Sequence, residues 1–130
     1  MSRYVIVIIS LLLVLLLYSL MTSNNTIVSA SSYRKISFQK MYEILKEGDL
    51  ILDVRTDEEY AAGHISNSVL IPDYEINTIQ SKYVNKDITI FVYCRTGHRS
   101  KNAVMNLLKL GYKNVYDVGG IIDYPYTLEK

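Results

Sequence analysis

The chain has no tryptophan, two prolines, two histidines and a single cysteine among its 130 residues. One cysteine excludes an internal disulfide, a C-x-x-C redox pair and a thiolate zinc site, so neither a metal nor a cofactor is expected. A block of one charge sign is also missing. Of 14 Lys/Arg only Arg3 lies in the first thirty residues, which leaves 13 cations against 13 anions from Ser31 onward. A nucleic-acid binder needs a broad basic surface, and here cations gather only around Arg95, His98, Arg99 and Lys101. That pattern suits a small anion, not a polymer.

Charge is absent altogether from Tyr4 to Met21, "YVIVIISLLLVLLLYSLM". About 20 apolar residues cross a bilayer, so the run lies between a long signal-peptide core and a short transmembrane helix. The uncharged flank that follows contains "VSA" at Val28 to Ala30, the small-residue pattern a signal peptidase reads. Arg3 stays on the cytoplasmic side by the positive-inside bias, and cleaved or anchored, the remainder faces outward. Residues 1–32 are therefore expected to be a signal peptide or membrane anchor with a short spacer, and residues 33–130 a single extracytoplasmic, periplasmic or secreted domain. Membrane contact is expected through residues 4–21 if they are retained, and the domain is expected to be a monomer.

Beyond Ser32, short β-branched runs alternate with helical stretches. "YRKIS" reads as a first short strand and Ser37 as the cap of a helix carrying Phe38, Met41, Ile44 and Leu45, with Gly48 as its stop. "LILDV" is too apolar for a solvent face, as in parallel strands covered on both sides. Thr56 and Glu59 form a capping box for "DEEYAA", which Gly63 ends. "SVLIP" is a further strand, and Asp73 is expected to cap a helix with Ile76 and Ile79. "ITIFVY" is the most β-like run in the chain. Ser100 is expected to cap a helix whose Ala103, Val104, Leu107 and Leu108 share a face, with Gly111 at its end. "NVYDV" reads as the last strand and "GG" as a turn. The sum is an α/β fold, an open, mostly parallel sheet flanked by helices on both faces.

The only cysteine, Cys94, ends the strongest strand just before a helix, where open α/β sheets bind ligands. A lone cysteine is commonly just a small buried hydrophobe. Its neighbours argue otherwise. The loop "CRTGHRS" turns backbone N–H groups inward, the helix start adds partial positive charge, and Arg95 and Arg99 bracket it. Gly97 permits the turn. Such settings favour thiolate over thiol. No general base is evident, and none is needed when the leaving group is as weak a base as sulfite, whereas peptide or ester hydrolysis needs one. Transfer of a sulfane sulfur fits.

These residues carry a resemblance. "ILDVRTDEEYAAGHISNSVLIP" from Ile51, "IFVYCRTGHRS" from Ile90 and "LLKLGYKNVYDVGG" from Leu107 together resemble a single rhodanese domain, of the thiosulfate sulfurtransferase family, from about Tyr33 to Tyr126. The resemblance implies that Cys94 takes the outer sulfur of a small anionic donor such as thiosulfate as a persulfide and passes it to cyanide or a thiol. It implies that Arg95 and Arg99 hold the donor's sulfonate, and that the amides of Thr96, Gly97, His98, Arg99 and Ser100 cradle the sulfur. Four residues separate Cys94 from Arg99, whereas the related phosphatases and arsenate reductases have five. Asp53 and Arg55 match the family's D-V-R, either as support for the site or as a partly buried ion pair that fixes the loop. His64 matches G-H-I and is expected to be a hydrogen-bonding turn residue. His98 could add charge to the loop or face solvent. Leu70 stands where the family usually has Asn, and Ile121 where it commonly has Trp. The competing readings are a phosphatase or arsenate reductase, which the short loop argues against, and a non-catalytic binding or sulfur-carrier module.

Overall fold

The computed structural model describes residues 1–23 and 33–130. The peptidase-type "VSA" lies outside the described residues. Helix α1 (Arg3–Ser23) is uncharged after its first residue, and its Arg3–Met21 stretch is long and apolar enough to cross a membrane, as a signal segment also is. At 1.5 Å per residue it is about 30 Å long, the thickness of the hydrocarbon layer.

The rest of the chain alternates helix and strand: α2 (Phe38–Ile44), β1 (Leu50–Asp53), α3 (Asp57–Ala62), β2 (Ser68–Leu70), a 3-10 turn (Asp73–Thr78) running into α4 (Ile79–Lys82), β3 (Thr89–Cys94), α5 (His98–Lys109) and β4 (Asn114–Gly120). All strand pairings within the sheet are parallel, in the order β2-β1-β3-β4. Side chains alternate across it. Leu50, Leu52, Ile90, Val92 and Val115 pack with Ala103, Val104 and Leu107 of α5, and with Ile76 and Ile79. Ile51, Phe91, Tyr93 and Val118 pack on the other face with Phe38 and Met41 of α2. Burial on both faces is what the unbroken apolar runs require of a parallel sheet.

From β1 the chain continues to one side of the sheet, and from β3 to the other. The carboxyl ends of β1 and β3 therefore flank the topological switch point, where such sheets form a ligand crevice. The backbone N–H of Val54 bonds the Tyr93 carbonyl at 3.1 Å and ties these two ends together.

Several sequence expectations are corrected in detail. "YRKIS" makes only an isolated parallel bridge, Lys35 opposite Asp117, because Ser37 already caps α2 by accepting a bond from the Lys40 N–H at 3.0 Å. α2 ends at Ile44, well before Gly48, since Leu45 leaves helical geometry. Pro72, not Asp73, holds the N-cap position of the 3-10 turn, and the Asp73 carboxylate accepts from the Tyr74 N–H instead. Ser100 does not cap α5 either. Gly97 does so, with φ of 99°, a left-handed geometry that glycine reaches without a Cβ penalty, so the helix begins at His98. The "GG" pair is not a turn. Gly119 and Gly120 continue β4 opposite Tyr93 and Cys94, after an irregularity in register.

Candidate active site

Cys94 is the last residue of β3, fully buried, and its Sγ accepts the Gly97 backbone N–H at 3.0 Å. The strand delivers the sulfur to the crevice and the left-handed Gly97 folds the chain back over it. The first-turn amides of His98, Arg99 and Ser100 are those that a helix leaves without internal acceptors. The loop is thus built to hold an electron-rich atom on N–H dipoles.

Two supports fix that loop. The first is Asp117 of β4, buried, whose Oδ1 accepts the Ser100 hydroxyl at 2.7 Å and the Gly119 N–H at 2.9 Å. Its Oδ2 accepts the Tyr33 hydroxyl. Burial and that bond to the carboxylate push the Tyr33 phenol up, so Tyr33 stays a neutral donor. The Ser100 Oγ also lies 3.1 Å from the Gly97 carbonyl oxygen, so the turn and the first turn of α5 gather at one carboxylate.

The second support is Gly120. A Cβ there would lie 2.5 Å from the Arg95 carbonyl oxygen and 2.7 Å from Thr96 Cα, so only glycine lets the loop settle against β4. The Ile122 N–H bonds the same Arg95 carbonyl at 3.3 Å.

The cations are unequal. Arg95 is exposed, as are Thr96 and His98, whereas the Arg99 guanidinium forks onto Glu59 with two 2.8 Å bonds. Bonding from Arg99 holds the Glu59 carboxyl at about 2, well below its usual 4.5, and the carboxylate in turn raises Arg99. Asp53 and Arg55 form a second, almost fully buried pair with Nη2 to Oδ2 at 2.7 Å. Burial disfavours a charged guanidinium, but Asp53's hydrogen bonds and charge outweigh it and Arg55 is raised. The remaining Nη2 proton reaches the Gly63 carbonyl, and the guanidinium lies 5.6 Å over the Tyr93 ring. This pair braces the ends of β1 and α3 beside the loop. His64 is stacked on Tyr60 and hydrogen-bonded to the Tyr60 carbonyl through Nδ1, a structural turn residue.

Sequence reasoning passed over Glu59, Asp117 and Tyr33. Glu59 was already accounted for by its capping box, which the structure contains. A charged residue inside the β-like "NVYDV" was a readable signal, because such a residue is buried only with partners. Nothing local marked Tyr33. Of the four tyrosines from Tyr112 to Tyr126, Tyr112, Tyr116 and Tyr124 serve packing: Tyr112 is buried, Tyr116 stacks on Phe91 and Tyr124 meets Phe38 edge-on.

Comparison with known proteins agrees with this fold. Residues 37–123 match the family model described as "Rhodanese-like domain". Over 114 residues the chain is 31% identical to a tRNA uridine(34) hydroxylase of Hamiltonella defensa, covering 82% of this chain and 32% of that protein. It is 29% identical over 89 residues to the thiosulfate sulfurtransferase GlpE of Coxiella burnetii, covering 68% of this chain and 82% of GlpE. A solved E. coli rhodanese with anions superposes with a TM-score of 0.59 at 31% identity, covering 63% of this chain and 98% of that one. The chain spans about a third of the hydroxylase's length and most of the sulfurtransferase's.

Proposed function

The chain belongs to the rhodanese-like domain family, and on that premise we propose that it is a sulfurtransferase carrying a sulfane sulfur as a Cys94 persulfide. The observation that carries this reading is the Gly97 N–H aimed at Cys94 Sγ at 3.0 Å, at the mouth of a helix. The Cys94 thiolate attacks the outer sulfur of thiosulfate. The donor's S–S bond breaks with its electron pair leaving on sulfite, and the persulfide anion rests on the loop amides of Thr96 to Ser100. Sulfite needs no proton to depart, which fits a site without a general base. A thiolate or cyanide then takes the outer sulfur and returns Cys94 as thiolate. Arg95, exposed on the loop and in none of the ion pairs among the described residues, supplies a cation for the sulfonate, while Arg99 shares its charge with Glu59.

The reading extends to residues 1–32 as signal or anchor, which the long apolar α1 with Arg3 as its only charge supports, and to residues 33–130 as an extracytoplasmic, monomeric domain. A second reading, a sulfur-carrier or binding module, draws support from the full burial of Cys94 and from Glu59's hold on Arg99. Intact mass of the purified full chain, before and after thiosulfate, separates sulfur loading from binding alone, and repeated turnover with cyanide separates a transferase from a carrier. A gain of one sulfur atom that needs Cys94 and vanishes on adding cyanide supports the transferase. No gain, with Cys94 still open to alkylation, moves the conclusion to the binding module.

A further inference from the structure

Outside α1 few large apolar side chains stand exposed, and among them are Ile122, 64% exposed, and Tyr126, 51% exposed, in the segment that follows β4. They are not isolated. Tyr126 meets Tyr42 of α2 edge-on with ring centroids 5.5 Å apart, and Tyr124 lies 5.4 Å from Tyr126 and 6.5 Å from Tyr42. The Tyr42 and Tyr124 hydroxyls share a 2.6 Å hydrogen bond. Phe38 backs the group, its ring 5.0 Å from that of Tyr124, and joins it to the core on the α2 face of the sheet. Rigid rings with hydroxyls at their tips suit a boundary that is apolar on one side and wet on the other.

Cations border this surface. Lys35 lines a cleft together with Phe38 and Pro125, and Arg34 beside it lies 5.5 Å over the Tyr116 ring. The ion pairs among the described residues include neither cation. Asp123 is the acid among the residues lining that cleft, so positive charge prevails. The chain also enters the domain here, because the Tyr33 hydroxyl bonds Asp117 and Lys35 is bridged to the same residue. Residues 24–32 separate Tyr33 from the end of α1, and even a fully extended chain of that length spans no more than about 35 Å. A retained α1 therefore holds this side within about one domain diameter of the bilayer. Tyrosines and cations are the side chains that seat a protein at a lipid interface.

We propose that the domain docks on the bilayer that α1 crosses, through Tyr42, Ile122, Tyr124 and Tyr126, with Arg34 and Lys35 on anionic lipid headgroups. The inference rests on the reading of α1 as a retained anchor. The apolar side chains enter the boundary between headgroups and acyl chains, and the cations add an attraction that salt weakens. Ile122 is bonded to the Cys94 loop through the Arg95 carbonyl, so docking also fixes where that loop stands relative to the bilayer.

The chain contains no tryptophan, so a single introduced tryptophan reports its own position. The variants are Ile122→Trp and Tyr126→Trp on the proposed face, Leu13→Trp in the middle of α1, and Val84→Trp. Val84 is exposed and precedes the amino end of β3, the end of the sheet away from Cys94. Each full chain, its N-terminus confirmed by intact mass, is placed in nanodiscs of phosphatidylcholine and phosphatidylglycerol in equal parts, with and without brominated acyl chains. A ring seated about 5–10 Å into the boundary should lose roughly half its emission to bromine, so Ile122→Trp and Tyr126→Trp should be quenched like Leu13→Trp, and Val84→Trp should not. Adding Lys35→Gln to Tyr126→Trp should lower the docked-to-free ratio about fivefold, and discs of phosphatidylcholine alone should lower it at least as much. Quenching that ignores both changes overturns the headgroup contact. Quenching at Leu13→Trp with none at Ile122→Trp and Tyr126→Trp, or equal quenching at Val84→Trp, overturns the docking and leaves the anchor standing. An emission change that needs two chains per disc and ignores bromine assigns the face to a second copy, which also overturns it. No quenching at Leu13→Trp overturns anchor and docking together.

Discussion

Arg99 and Glu59 lie 40 residues apart in sequence and meet in a forked ion pair with both bonds at 2.8 Å. The same Glu59 carboxylate accepts the Thr56 N–H and hydroxyl that cap α3. One side chain therefore couples the start of α3 to the start of α5, and fixes the guanidinium that flanks the Cys94 loop. Bidentate pairing of a planar guanidinium restricts its orientation more than a single charge contact would.

That coupling should be visible as a pH dependence. A carboxyl held at about 2 in the folded chain, against an ordinary 4.5, stabilises the fold fully above about pH 4.5 and loses that contribution as pH falls toward about 2. Urea unfolding midpoints of the parent should fall across that window. Glu59→Gln should be less stable at neutral pH by about 1 kcal/mol, a modest figure because the pair is partly solvated, and its midpoint should vary less with acid. Parallel acid profiles for the two proteins would show that the pair contributes nothing.

Arg99 should also matter to the donor. If its charge contacts the sulfonate, Arg99→Ala should raise KM for thiosulfate about tenfold, the size of one partly screened charge-assisted bond. Arg99→Lys keeps the charge but loses the fork, and should recover part of that loss. An unchanged KM in Arg99→Ala would restrict the residue to its pairing with Glu59 and leave donor binding to Arg95 and the amides.

The closeness of Gly120 to the Arg95 carbonyl makes a sharper claim. Gly120 has an ordinary φ of −103°, so any penalty for a side chain there is one of space alone. Gly120→Ala puts a methyl 2.5 Å from backbone, which the loop must vacate. A destabilisation of about 1–3 kcal/mol is expected, as for other overpacked sites. The rate of persulfide formation should fall with it, because the Gly97 N–H would leave Cys94. Normal loading in a folded Gly120→Ala chain would show that loop position is not critical.

The contrast between Gly120 and Cys94 also marks what a sequence reveals. The apolar runs, the turn glycines and the crowded loop gave the parallel sheet and put Cys94 at its carboxyl edge, because those signals are local and periodic. The role of Gly119 and Gly120 was misread, since a glycine pair looks the same whether it makes a turn or makes room for another segment. Ser100 was misplaced for a related reason. Serine is a good cap, but Gly97 had already started the helix and freed Ser100 to bond Asp117. Glu59 with Arg99 and Tyr33 with Asp117 depend on approaches between distant segments, and no spacing rule encodes those.

The buried pair Asp53–Arg55 separates support of the fold from support of the chemistry. Removing one partner leaves the other charge uncompensated in a site where Asp53 is 0% exposed, a loss of about 3–5 kcal/mol. Arg55→Met should thus unfold at a much lower urea concentration than the parent, while Asp53→Leu combined with Arg55→Met should be less damaged than Arg55→Met alone. For a purely structural brace, turnover per folded molecule and KM for thiosulfate should match the parent in the double variant. If that variant folds but loads sulfur on Cys94 more slowly, then the charge pair also shapes the field at the loop, since β1 and β3 are joined at Val54 and Tyr93 next to it. Stopped-flow loading of the two variants, normalised to the folded fraction by circular dichroism, decides between a brace and a participant.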